Sequence, residues 1–346
     1  MTVDKTYCMS SFLMLRTVID KDKCFKENCI PKHFSMKSLR EPVSNAAELE
    51  EKLRFHVENA CKNGKAALAL SGGIDSAILA KFMPKGSVAY TFKCVVDGVE
   101  VTDETPAAKR YAEACGLEHR IVEIYWEDFE KYAKELMHHK GAPIHSIEVQ
   151  IYKASLMAKR DGFDTLIFGE SADANFGGLN GLLSREWTAP DFIDRFSYVL
   201  PHRALKDPRI ITEPFSAYSK DGFVDVHNFI RHVFFEESMG SYENATELGG
   251  IKLCAPYAET YMAPPLDYER VRSGDSKYFV REIFRKYYPD FIAPPKTPMP
   301  RPMNEWMQNW KGPTRPEFWP HCTAGMTGDQ KWLVYILEKF MDLFDL

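Results

Sequence analysis

No two cysteines stand in a CxxC arrangement, and no apolar run approaches the roughly 18 residues needed to span a bilayer. Eight cysteines are scattered along the chain, the closest pair, Cys24 and Cys29, having four residues between them, so a zinc ribbon or disulfide scaffold is not expected and free thiols are. Positive charge is not in surplus: 44 Lys and Arg face 49 Asp and Glu, for a net charge of -5. A polyanion-binding surface is therefore not expected, and nucleic acid is not the default partner. Met1 to Lys23 mix apolar and charged residues without the apolar stretch of a signal peptide, so the expected location is the cytoplasm, with no membrane association.

What is present is an ordinary globular composition, 45% hydrophobic and 27% charged over 346 residues, enough for one large domain with an appendage. Residues 1–44 read as an irregular N-terminal extension with one strand, Ser11 to Val18. Residues 45–346 read as the main domain, opened by a helix over Ala46 to Asn63 that Ser44 or Asn45 can cap. Strands are expected at Ala66–Leu70, Ser87–Phe92, Arg120–Ile124 and Thr165–Gly169. Helices are expected at 75–82, 103–115, 126–138 and 146–160, the third-listed strand lying between the second and third of them. This alternation predicts an α/β fold with a doubly wound, mainly parallel sheet. Beyond Gly178 the chain reads as mostly helical to about residue 290, without clear strands. A proline-dense loop from Ala293 to Pro302 and a final helix over 330–344 follow.

The most informative string is Ser71-Gly72-Gly73-Ile74-Asp75-Ser76, set between an expected strand and helix. Glycines there let backbone amides close on an anion, and the open first turn of a helix favours phosphate. Ser71 and Ser76 add hydroxyl donors, and Asp75 can hold Mg2+. The lysine of a Walker A loop is absent. A second string, Phe168-Gly169-Glu170-Ser171-Ala172-Asp173-Ala174-Asn175-Phe176-Gly177-Gly178, ends the fourth strand; Glu170 and Asp173, three apart, can face one site.

The first string resembles the pyrophosphate loop of the N-type ATP pyrophosphatases. The second resembles the Gly-Glu-Gly-Ala/Ser-Asp-Glu-Leu/Val-Phe-Gly-Gly segment of asparagine synthetases and β-lactam synthetases, departing from it at Ala174-Asn175. Ala255 to Glu259 is similar to that family's Pro-Phe-Leu-Asp, and Gly274 to Glu282 to its Lys-Tyr/Phe-x-Leu-Arg-Glu segment. The resemblance covers about residues 45 to 310 and implies an adenine nucleotide α-hydrolase-like sheet with a mostly helical C-terminal part. It implies that Leu70, Ser71, Gly72, Gly73, Asp75, Ser76, Phe92 and Gly169 hold ATP, and that Asp75 and Asp173 share Mg2+. Glu170, Lys277 and Lys296 would be catalytic, the lysines reaching pyrophosphate and the reacting carbonyl. The family's glutaminase half begins with a cysteine after the initiator Met; here Thr2 stands there, and glutamine hydrolysis by this chain is not expected.

The reaction implied is adenylation of a carboxylate, with pyrophosphate released, followed by amide formation with ammonia or an amine and release of AMP. The partners are then a small-molecule carboxylate or carbonyl compound and a nitrogen donor, with room for a separate glutaminase or donor protein and for a homo-oligomer. Specialised metabolism is the implied setting. A sulfurtransferase that adenylates a nucleobase carbonyl is the first alternative, with Cys94 or Cys254 carrying sulfur; a degenerate nucleotide-binding partner protein is the second. His138, His139 and His145 flank a loop that can approach the substrate, with a surface role favoured; Arg185-Glu186-Trp187 reads equally as acyl pocket or helix packing.

Overall fold

The computed structural model describes residues 1–34, 40–293 and 298–346. Its centre is a parallel sheet of β1 (Ala66–Ala69), β2 (Val88–Cys94), β3 (Glu118–Ile124), β4 (Thr165–Ile167) and β5 (Lys252–Cys254), in the order β5-β4-β1-β2-β3. The helices that carry the argument are α1 (Lys5–Leu15), α2 (Ala46–Cys61), α3 (Ile74–Ala80), α4 (Thr105–Cys115), α5 (Trp126–Lys140), α6 (Ser146–Arg160), α7 (Phe235–Leu248), α8 (Tyr278–Tyr287) and α9 (Gly328–Leu343).

Local chemistry explains the boundaries. Asn45 caps α2 by accepting from the Glu48 amide, as a short polar side chain does at an open helix start. Gly116 ends α4 in the left-handed conformation, φ 67°. Ala66 to Leu68 and all of β4 are buried, consistent with strands covered on both faces. The chain leaves β1 through β2 and β3 to one edge, then returns to β4 on the other side of β1. Loops after β1 and β4 therefore diverge above the sheet, where a doubly wound fold opens its crevice.

Two expectations are corrected. Ser11 to Val18 does not form a strand: Lys5–Leu15 is a helix, capped by Asp4 and buried from Tyr7 to Leu15. A segment buried on every face carries no helical polarity pattern, so its apolar run imitates a strand. Strands do occur beyond Gly178: β5 extends the main sheet beside β4, Thr260–Met262 pairs with Glu41–Val43, and Ser219–Lys220 pairs with Phe223–Val224. Each has at most three residues, too few for an alternation to register. All eight cysteines are free, as their spacing suggests. No helix among the described residues is long and apolar enough to cross a membrane.

The N-terminal segment belongs to the same hydrophobic core, its Phe12, Leu13 and Met14 fully buried with Phe340 and Met341 of α9. It also seats on the end of α5, where the Lys32 amide donates to the Lys140 carbonyl at 2.8 Å. Gly141, at φ 66°, leaves no room there: a β-carbon would stand 2.1 Å from the Ile30 carbonyl oxygen. Gly141→Ala should destabilise the protein by about 2 kcal/mol or more through strain and backbone displacement. An unchanged thermal midpoint would contradict this seating.

Candidate functional site

The loop after β1 braces itself. Ser71 and Ser76 hydroxyls lie 2.9 Å apart, the Ser71 amide donates to Ser76 Oγ at 3.0 Å, and the Gly73 amide donates to Ser71 Oγ at 3.1 Å. Gly73 opens α3 with no side-chain cap, and Asp75 lies in the first turn. The loop after β4 approaches so closely that Gly169 has no alternative: a β-carbon would lie 2.9 Å from the Ser76 amide nitrogen. Together they floor a cleft of about 370 Å³. Leu70, Ser71, Gly72, Gly73, Asp75, Ser76, Phe92 and Gly169, the expected nucleotide-binding residues, all line it, with Glu170, Asp173 and Lys277.

Asp75 and Asp173 meet on one ammonium. Lys277 Nζ lies 2.7 Å from Asp75 Oδ2 and 3.0 Å from Asp173 Oδ1. Lys277 is buried and caps α8 at φ 49°, a left-handed conformation rare for lysine. Burial opposes its charge, yet the two carboxylates outweigh burial and raise its pKa. Gly178 keeps this junction open, since a β-carbon would stand 2.0 Å from Asp173 Oδ1 and 2.7 Å from Lys277 Cδ. The Tyr257 hydroxyl donates to the Asp75 carbonyl at 3.2 Å, tying the Ala255–Glu259 segment to the loop. Glu259 itself lies beside a separate cavity with Arg40.

Glu170 lines the same cleft as Lys277. Burial raises its proton affinity, against the opposing effects of the Ser171 amide and the Ser238 hydroxyl, which donates to Glu170 Oε1 at 2.9 Å. Tyr242, one helical turn from Ser238 on α7, lines it as well. Ser238, Tyr242, Glu104 and Arg281 escaped the sequence reading. The four-residue spacing of Ser238 and Tyr242 was their available signal, and it is indistinguishable from ordinary helix periodicity.

Other candidates fall elsewhere. Lys296 lies outside the described residues. His145 is buried, not at the surface, against Arg16 and Glu237. His139 bonds to Asn244 and His138 packs on Phe344. Arg185 stacks on Trp187 at 4.0 Å, away from the residues lining the cleft. Burial pushes the Cys94 and Cys254 thiols up to about 12, the opposite of an activated thiol. Neither lines the cleft.

No group of three His, Cys, Asp or Glu among the described residues could hold a metal. Two converging carboxylates do fit a cation whose remaining ligands are water and phosphate, the usual mode for Mg2+.

A self-braced glycine loop at the switch point of a parallel sheet, facing paired carboxylates, defines a phosphate-binding α/β protein. Residues 48–238, more than half of the chain, match the asparagine synthase family, and the chain belongs to it. Its sequence is 29% identical over 141 residues to the protein named asparagine synthetase [glutamine-hydrolyzing] 1 in Methanocaldococcus jannaschii. That match covers 37% of this chain and 25% of the relative, so the chain spans about a quarter of the relative's length. Among solved structures, it is similar to the NH3-dependent NAD synthetase of Campylobacter jejuni (16% identity, TM-score 0.26, covering 38% of this chain and 60% of that one). It is also similar to the U34-tRNA thiolase of Methanococcus maripaludis (15% identity, TM-score 0.29, covering 72% and 82%). Overlap this low does not bear on substrate or reaction.

Glu104 faces the phosphate loop from the start of α4; burial raises its proton affinity and the Gly72 amide opposes that. An anionic carboxylate here would repel a triphosphate. Glu104→Gln should tighten Mg·ATP binding by roughly threefold or more, on the order of 1 kcal/mol, as measured by calorimetric titration. Weaker binding would mean that Glu104 serves the ligand.

Proposed function

We propose that this protein is an ATP-dependent ligase that adenylates a small-molecule carboxylate, releases pyrophosphate, and forms an amide with ammonia or an amine as AMP departs. The observation that carries the reading is the junction of Asp75, Asp173 and Lys277 beside the loop, with Glu170 lining the same cleft.

In this reading the loop amides and the Ser71 and Ser76 hydroxyls hold the β and γ phosphates. Asp75 and Asp173 are the residues that would hold Mg2+, which would neutralise the leaving pyrophosphate. Lys277 exchanges its carboxylate partners for phosphate oxygens as charge builds there. A substrate carboxylate oxygen attacks the α phosphorus, and the bond to the bridging β oxygen breaks. The amine nitrogen then attacks the acyl carbon, AMP leaves, and Glu170 takes the nitrogen's proton. A carboxyl with raised proton affinity suits that last task at neutral pH. Lys296 keeps, by resemblance alone, a role at the reacting carbonyl. Cysteine-carried sulfur is disfavoured, because desolvation raises the proton affinity of both candidate thiols and neither lines the cleft.

Incubation with Mg·ATP, ammonia and a panel of carboxylic acids, including aspartate and glutamate, tests the reading. AMP and pyrophosphate should appear only with the right acid. Asp75→Asn should reduce the rate by about 100-fold or more, the usual scale for losing one electrostatic group at a reacting phosphate or carbonyl. ADP and phosphate as products would overturn the mechanism. Turnover should survive replacement of Cys94 and Cys254 by alanine together; its loss would favour sulfur chemistry.

A further inference from the structure

α7 begins directly after a π-helical turn, Ile230–Phe234. The backbone stays helical through this wider turn, which shifts the register in which the side chains of α7 face the cleft. That register matters, because Ser238 and Tyr242 must face Glu170. The adjacent stripe of the same helix is gripped from outside. Arg16 donates to Glu237 Oε2 at 2.8 Å, and its other terminal nitrogen lies 2.8 Å from His145 Nε2. Because arginine only donates, His145 Nε2 accepts and its Nδ1 carries the hydrogen, 3.7 Å from Glu237 Oε1. The guanidinium also stacks on Tyr198 at 3.8 Å.

Arg16 sits at the C-terminus of α1 with φ 59°, a left-handed position that glycine usually occupies. Glycine would cap α1 with less strain, so the residue is kept for what its side chain reaches. It also lies outside residues 48–238, the part matched by the family.

We propose that Arg16 is a positioning residue: by holding Glu237, it fixes the rotation of α7 so that Ser238 and Tyr242 hold the Glu170 carboxyl in the cleft. The importance of Glu170 to turnover rests on the reading above; the positioning itself does not, and its test needs no turnover. Removing Arg16 alone would strand a buried carboxylate, so the main variant is the charge-neutral Arg16→Met/Glu237→Gln. Arg16→Lys, which keeps a charge on Glu237 but not the planar contact with His145, is the gentler second variant.

Amide hydrogen exchange across 235–242 should quicken about tenfold or more in the double variant, with β1 to β4 unchanged. The 13C carboxyl resonance of Glu170, assigned by its loss in Glu170→Gln, should titrate at higher pH as the Ser238 and Tyr242 bonds weaken. Arg16→Lys should move both readouts in the same direction by less. Unchanged exchange would overturn the proposal. So would quickened exchange with an unmoved Glu170 titration in both variants, since Arg16 would then only brace the fold. Failure of the ligase reading would appear separately, as ADP in the product assay of the unaltered protein.

Discussion

The Lys277 ammonium, lodged between Asp75 and Asp173, is the contact on which the candidate site depends. Its two carboxylates come from loops more than ninety residues apart in sequence, at positions 75 and 173. Without a cation between them they would repel one another across a half-buried cleft. A buried ion pair recovers little net stability, because desolvation offsets most of the attraction. Keeping three charges there is better understood as preparation for a charged ligand than as a device for folding. Phosphate oxygens and a divalent cation can replace ammonium and carboxylate partners without leaving any of the three unpaired.

Sheet topology puts those loops together. Because the chain turns back at β1 and β4, the phosphate loop and the Gly169–Gly178 turn open from neighbouring strands and diverge. Their separation is set by contacts no larger side chain could make: Gly169 against the Ser76 amide, and Gly178 against Asp173 and Lys277. Glycine matters here for closeness of approach rather than backbone freedom. The Lys277 ammonium, the Asp75 turn and the Glu170 turn are thereby held within one cleft before any ligand arrives.

What was legible in the sequence follows from periodicity and length. β1, the glycine loop and α3 were readable because an apolar strand is cut by Ser-Gly-Gly and followed by a helix start. Glu170 and Asp173 were readable because they follow β4 in one short string. α1 was misread because burial on all sides erases its polarity pattern, and β5 was missed because three residues carry no alternation. Lys277 was found only through resemblance; alone, a lysine amid charged neighbours reads as surface. Ser238 and Tyr242 were invisible because their significance is which side chain they meet, and that depends on the rotation of α7.

That dependence distinguishes two groups of residues within the cleft. Around Lys277, charges are held by short ion pairs and by closely approaching backbone. At Glu170, a carboxyl with raised proton affinity is held by two hydroxyl-bearing side chains on a single helix. Compensation of charge organises the first group and burial the second, where the nearby Asp173 charge adds to the effect of burial. In the proposed ligase reaction, the first group would meet the departing pyrophosphate and the second would take the proton of the attacking amine.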